Sequence, residues 1–229
     1  KMTNLTYSGE TNYKSEENIK NNLLKIFIFY SVLSLIYFTL LNISGVRLFN
    51  SLNLTMTLVS SGGFLPSDSL NDIIITNLQK ITLIFILIFS MLNFYFLFNI
   101  FNKKAIIKYH KEDFYLLTFT ALFILLIYFN NFEGLDIVAS VLSSLTNSGI
   151  TLFEKGNNLS LYFLLLTLVG GSLISNTSGI KLTRFYILLK ITAAEIIKLI
   201  SPNSVINKTI FNSENKINEE NVKISFLIF

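Results

Sequence analysis

The chain has 229 residues, of which 52% are hydrophobic and only 14% charged, with a formal net charge of +4. Soluble domains are less apolar and more charged. The absence of cysteine excludes disulfides and thiolate metal sites, and a single histidine, His110, excludes a multi-histidine centre within the chain.

Residues 1–22 are polar, with Lys14 and Lys20, and Lys25 follows just beyond. The first apolar run begins near Leu23, too long and too hydroxylated for a signal-peptide core. Four stretches carry no charged side chain: Ile26–Val46, Ile81–Asn102, Phe114–Asn130 and Gly156–Ile180. About 20 apolar residues cross a bilayer as a helix, so four such stretches predict an all-α membrane protein. A soluble protein with four wholly apolar helices is the alternative.

Between the first two runs, Arg47–Val59 is of re-entrant length. Leu48, Phe49, Leu52, Met56 and Val59 fall on one helical face. Between the last two, Leu135–Leu145 is similar. Asn50 and Asp136 stand near the two helix starts, where a short polar side chain can cap free N–H groups. Each short helix leads into a hydroxyl-rich turn ending in glycine: Ser60-Ser61-Gly62-Gly63 and Thr146-Asn147-Ser148-Gly149. Gly63 and Gly149 stand 86 residues apart, as do Asp68 and Glu154.

The chain therefore reads as tandem span–pore-helix–filter–span repeats of a potassium-channel-like pore. The expected division is a cytosolic segment 1–22, a first repeat 23–102, a basic connector 103–112 and a second repeat 113–200. A cytosolic loop 201–223 and the start of a further span, 224–229, complete it. His110 reads as a solvated residue of the connector. Basic residues cluster before the first run, in the connector and over Lys181–Lys198, so these three regions are expected in the cytoplasm. Both repeats then run in the same direction, the symmetry of an axis along the membrane normal.

Irregular backbone at membrane depth survives only against protein or a water-filled cavity. Glycine leaves carbonyls unobstructed, and oxygen rings can replace an ion's hydration shell. Ser60, Ser61, Gly62, Gly63, Thr146, Asn147, Ser148 and Gly149 are the candidate filter, with potassium as the ion held. Asp68 and Glu154 are candidate pore-mouth acids, or solvated loop acids. The last apolar run is interrupted by Gly170, Gly171, Ser172, Ser175, Asn176, Thr177, Ser178, Gly179 and Lys181, a candidate gate loop, or else a simple kink. Outside the spans no nucleophile–base pair, metal cluster or phosphate fingerprint is visible, so no catalytic residue and no organic cofactor are expected.

These residues resemble the Trk/Ktr/HKT superfamily of potassium transporters, most closely the bacterial Trk-type membrane subunit. The resemblance rests on Met56–Leu65 with its Ser-Ser-Gly-Gly-Phe, on Leu92-Asn93-Phe94, on Thr146–Gly149, and on Gly170, Gly171, Ser175, Gly179, Ile180, Lys181 and Arg184 of the broken span. It covers about Leu23 to Ile200. It implies potassium uptake across a bacterial cytoplasmic (inner) membrane by a multi-pass subunit with four such repeats, of which these resemble the second and third. It also implies a homodimer and a cytosolic nucleotide-binding regulatory partner. Ile174 and Ser178 stand where the family pattern has glycines, which implies a stiffer loop. Ile150 follows Gly149 where an aromatic or small residue is common. Two filter turns make half a ring, so the chain alone is not expected to conduct with normal selectivity. A sodium or less selective cation transporter, and a non-conducting assembly subunit, remain as alternatives.

Overall fold

The computed structural model describes residues 16–94, 96–97, 111–128, 134–152 and 160–201. Among them the regular structure is entirely helical: α1 (Glu16–Ile43), α2 (Leu48–Ser60), α3 (Asn77–Met91), α4 (Lys111–Tyr128), α5 (Leu135–Thr146), α6 (Ser160–Val169) and α7 (Leu182–Ile200). Residues 1–15, the connector up to His110, Glu154, the loop from 202 and the stretch 224–229 lie outside the described residues.

The expected repeat is present as α1-α2-α3 and α4-α5-α6. At 1.5 Å per residue, the 13-residue α2 and 12-residue α5 are about 20 and 18 Å long, shorter than a bilayer core. α1 ends where Gly45 (φ 89°) turns the chain, with Val46 N–H donating to the Leu41 carbonyl. α3 begins at a reciprocal cap. Gln79 N–H donates to Thr76 Oγ1 at 3.3 Å, and Thr76 N–H donates to Gln79 Oε1 at 3.1 Å.

Among the described residues α2 packs chiefly against α1 and α3, whereas α5 packs against α4, α6 and, most extensively, α3 of the other repeat. This difference decides which way the apolar face of α2 points. The apolar face of α2 points outward, with Phe49 71% and Met56 59% exposed, while Ser51, Leu54, Thr55 and Leu58 face the core. The inward hydroxyls are tolerated because each bonds its own helix: Thr55 Oγ1 to the Ser51 carbonyl at 2.7 Å and Ser51 Oγ to that of Leu48 at 2.9 Å. On α5, where a third helix is present, Leu142 and Leu145 are buried. They stand 86 residues beyond Met56 and Val59.

Neither expected cap forms. Arg47 and Gly134 occupy the N-cap positions, and neither makes a side-chain capping bond. Asp136 is drawn instead to Lys80 on α3, with Nζ to Oδ1 at 2.6 Å, because α3 and α5 lie side by side. The carboxylate remains in the first turn of α5, where the helix dipole favours it.

Among the described residues, no helix is long and apolar enough to cross a membrane. α3 stops at Met91 because Leu92 is extended (φ −77°, ψ 157°), within the run Ile81–Asn102 that the sequence reads as one helix. α6 stops at Val169 after ten residues. The first turn of α4 already contains Lys111, Glu112 and Asp113, and α7 carries Arg184, Lys190, Glu195 and Lys198. Glu195 and Lys198 approach to 3.6 Å, the pairing their spacing predicts.

Replacing Thr76 with alanine should destabilise the protein by about 1 kcal/mol, because it removes a cap. Asn50→Ala should stay within about 0.5 kcal/mol. Thermal unfolding in detergent distinguishes the two.

Candidate functional site

The two turns that follow α2 and α5 share one backbone path. Ser61 and Asn147, the C-cap residues, are both left-handed (φ 52° and 56°), and so are Gly63 and Gly149 (φ 72° and 67°). Gly62 and Ser148, between them, are not. The closing bonds also correspond: Gly62 N–H donates to the Thr57 carbonyl and Ser148 N–H to the Ser143 carbonyl, each at 3.1 Å. Alternating the hand of successive residues lets neighbouring peptide planes turn to one side, and two of the four positions of left-handed φ fall on glycine, which adopts it freely.

The hydroxyls hold these turns in shape. Thr57 Oγ1 donates to the Phe64 carbonyl and ties the far end of the first turn back to α2. Ser60 Oγ donates to Met56 O at 2.8 Å, so it serves its own helix. In the second turn Ser148 Oγ lies 3.0 Å from Ser143 Oγ and 3.1 Å from Thr146 Oγ1, all three buried.

The turns meet. A Cβ added to Gly63 would lie 2.7 Å from the Ser148 carbonyl oxygen, so only glycine fits there. Beside Gly149 the space is open. Asp68 is exposed on the segment between α2 and α3.

The interruption between α6 and α7 spans residues 170–181, as the sequence predicts, and folds into a compact loop against both turns. Ser61 Oγ donates to the Asn176 carbonyl at 3.0 Å. Asn147 Nδ2 donates to Thr167 O at 3.0 Å and would lie 3.0 Å from a Cβ on Gly179. Gly170 (φ 70°) sits against Ser178, whose carbonyl oxygen would be 2.4 Å from an added Cβ. A Cβ on Gly171 would be 2.5 Å from Thr177 Oγ1 and 2.9 Å from the Met91 carbonyl. Ser172 is fully buried and its N–H donates to Met91 O at 3.1 Å.

Lys181 closes the loop. Its φ of 77° is left-handed. Its ammonium donates to the Thr177 carbonyl, to Thr177 Oγ1 at 3.0 Å, to Ser175 Oγ at 3.3 Å and to Ser175 O at 3.5 Å. A cation thus already sits among carbonyl and hydroxyl oxygens of the loop.

Two pairs of contacts have no place in the sequence reading. One is Lys80–Asp136 at the start of α5. The other involves Glu112 and Asp113. Glu112 Oε1 accepts from Leu173 N–H at 2.8 Å, and Asp113 Oδ1 accepts from Asn93 N–H at 2.9 Å. Their position was the available signal: two adjacent acids opening a helix beside a basic connector.

Gly171→Ala should destabilise by about 1–3 kcal/mol, since both obstructing atoms belong to a packed loop. Gly149→Ala meets only the cost of left-handed φ and should cost about 1–2 kcal/mol. Unfolding midpoints of the two variants test the difference in packing.

No family model matches the chain. It is 33% identical over 187 residues, 79% of its length, to an uncharacterized cation transporter of Methanocaldococcus jannaschii, and spans 38% of that relative. Its fold matches the crystal structure of the potassium transporter TrkH from Vibrio parahaemolyticus with a TM-score of 0.78 at 17% identity, covering 96% of this chain and 49% of that one. The chain thus spans less than half of each of these relatives. With the paired turns and the broken last helix in the expected places, the chain shares the fold of that potassium transporter and is similar in sequence to that archaeal cation transporter.

Proposed function

We propose that this chain contributes two repeats to a pore that takes potassium across the cytoplasmic membrane, with Ser60–Gly63 and Thr146–Gly149 as part of its filter. The observation that carries the reading is the contact of Gly63 with the Ser148 carbonyl, which brings two like-shaped, carbonyl-bearing turns together at the ends of two short helices. The C-terminal ends of α2 and α5 direct partial negative charge toward the turns, which favours a cation over an anion. TrkH carries potassium by its name, and the archaeal relative carries cations by its name. Potassium is the finer reading, supported by glycine at the last position of both turns, Gly63 and Gly149.

The surface supports a lipid setting. Phe27, Leu35, Phe85, Leu125, Leu164 and Leu168 are all exposed on α1, α3, α4 and α6. An apolar surface of this extent is foreign to soluble monomers. The uncovered face of α2 is the place a preceding repeat would fill, by analogy with α3 on α5. A homodimer and a cytosolic nucleotide-binding regulatory subunit complete the proposed assembly. The loop 170–181 serves as the gate, since it rests against both turns and is built around Lys181.

Expression of the assembled transporter should restore growth of an uptake-deficient bacterial host at low potassium and support rubidium uptake. Gly63→Ser should lower rubidium uptake at least tenfold relative to sodium, because the added side chain strikes the Ser148 carbonyl. Sodium uptake equal to rubidium uptake in the unaltered protein would assign it a less selective role. No uptake of either ion by a correctly inserted protein would assign it to assembly.

A further inference from the structure

Four backbone groups meet where α3 breaks off and the loop begins. Ser172 N–H donates to the Met91 carbonyl at 3.1 Å, and Phe94 N–H donates to the Ile174 carbonyl at 2.9 Å. The two interruptions are thus stitched together like short strands. Two further N–H groups, of Asn93 and Leu173, are satisfied by side chains from the start of α4, Asp113 at 2.9 Å and Glu112 at 2.8 Å. Both acids lie in the first turn of α4, where a negative charge is favoured. Asp113 is buried, and it addresses the fixed side of the junction, the end of α3. Glu112 addresses the loop itself. Lys181 and Arg184 are the cations whose charge reaches Glu112. The Lys181 ammonium is already surrounded by loop oxygens from Ser175 and Thr177.

We propose that Glu112 is the latch of the loop: a positioning residue whose carboxylate oxygen, by its bond to Leu173 N–H, holds residues 172–176 against α3 and so sets how often the path is closed. This rests on the reading of 170–181 as a gate. Asp113 provides the fixed base, and the bond between Leu173 N–H and Glu112 Oε1 is the releasable contact. Swinging the loop away from α3 requires Leu173 N–H to give up its acceptor. Because the bond depends on the reach of the acceptor, an amide of the same length can replace the carboxylate, but a shorter acid cannot.

The test is rubidium flux into proteoliposomes holding the assembled transporter without its cytosolic partner, together with the rubidium/sodium ratio. Glu112→Ala should raise basal flux about tenfold, the scale of losing one hydrogen bond in a two-state equilibrium, and leave the ion ratio unchanged. Glu112→Gln, which keeps an acceptor at the same distance, should stay near the unaltered flux. Glu112→Asp, which keeps the charge and withdraws the oxygen, should behave like alanine. A merely structural role predicts lower flux in all three, and a charge role predicts normal flux in Asp and raised flux in Gln; either pattern overturns the latch. If Glu112→Ala does not accumulate, the Gln and Asp variants alone decide. Deleting residues 172–178 separates the two levels. Unchanged flux after deletion removes the gate itself. Altered flux after deletion with unchanged flux in the Glu112 variants removes only the latch.

Discussion

Backbone N–H and C=O groups that leave a helix inside an apolar fold must find partners within the protein. The structure depends on this constraint at four places: the turns after α2 and α5, the break at Leu92, and the loop between α6 and α7. Each solves it by bonding to another irregular segment or to a side chain placed for it. Gly62 and Ser148 N–H groups return to their own short helices, α2 and α5. Met91 and Ile174 carbonyls take N–H groups across the α3–loop junction. Ser61 and Asn147 side chains reach segments at the other helix break, and Glu112 and Asp113 serve the remaining donors. The irregular segments form a connected polar core inside an apolar shell.

That connection links the two glycine turns mechanically to the loop. Movement of residues 176–179 acts directly on Ser61 and Asn147, the left-handed residues that set the paths of the two turns. A rearrangement of the loop is therefore felt at Ser61 through one hydrogen bond and at Asn147 through its close approach to Gly179, without a relay of packed side chains. The glycines make this closeness possible. At Gly63, Gly170 and Gly171 an added methyl group would strike an oxygen of the opposing segment. The close contact, as much as the left-handed φ, explains why these positions carry no side chain.

Much of this was legible in the sequence. The short helices, the two turns and the limits of the loop follow from composition changes at glycine and hydroxyl runs, which end helices for local reasons. Lys181 and the Gly170-Gly171 pair were legible as a helix break, though not as a folded cage. What failed was non-local. Asn50 and Asp136 have the chemistry of caps, but the approach of α3 gave Asp136 to Lys80. The face Leu48–Met56 has the periodicity of a core, yet lies outward because α2 lacks the third neighbour that α5 has. The break at Leu92 carries no glycine or proline and lies inside an apolar run. Only its partners, Asp113 and the loop, explain it, and they are distant in sequence.

The central claim, that the turns ending in Gly63 and Gly149 bind a dehydrated cation with their carbonyls, is tested most directly by locating a heavy cation in the structure. Crystals of the assembled transporter grown with thallium in place of potassium should show anomalous density in direct coordination with carbonyl oxygens of residues 61–63 and 147–149. Thallium found only among exposed acids such as Asp68, with none between the two turns, would contradict it.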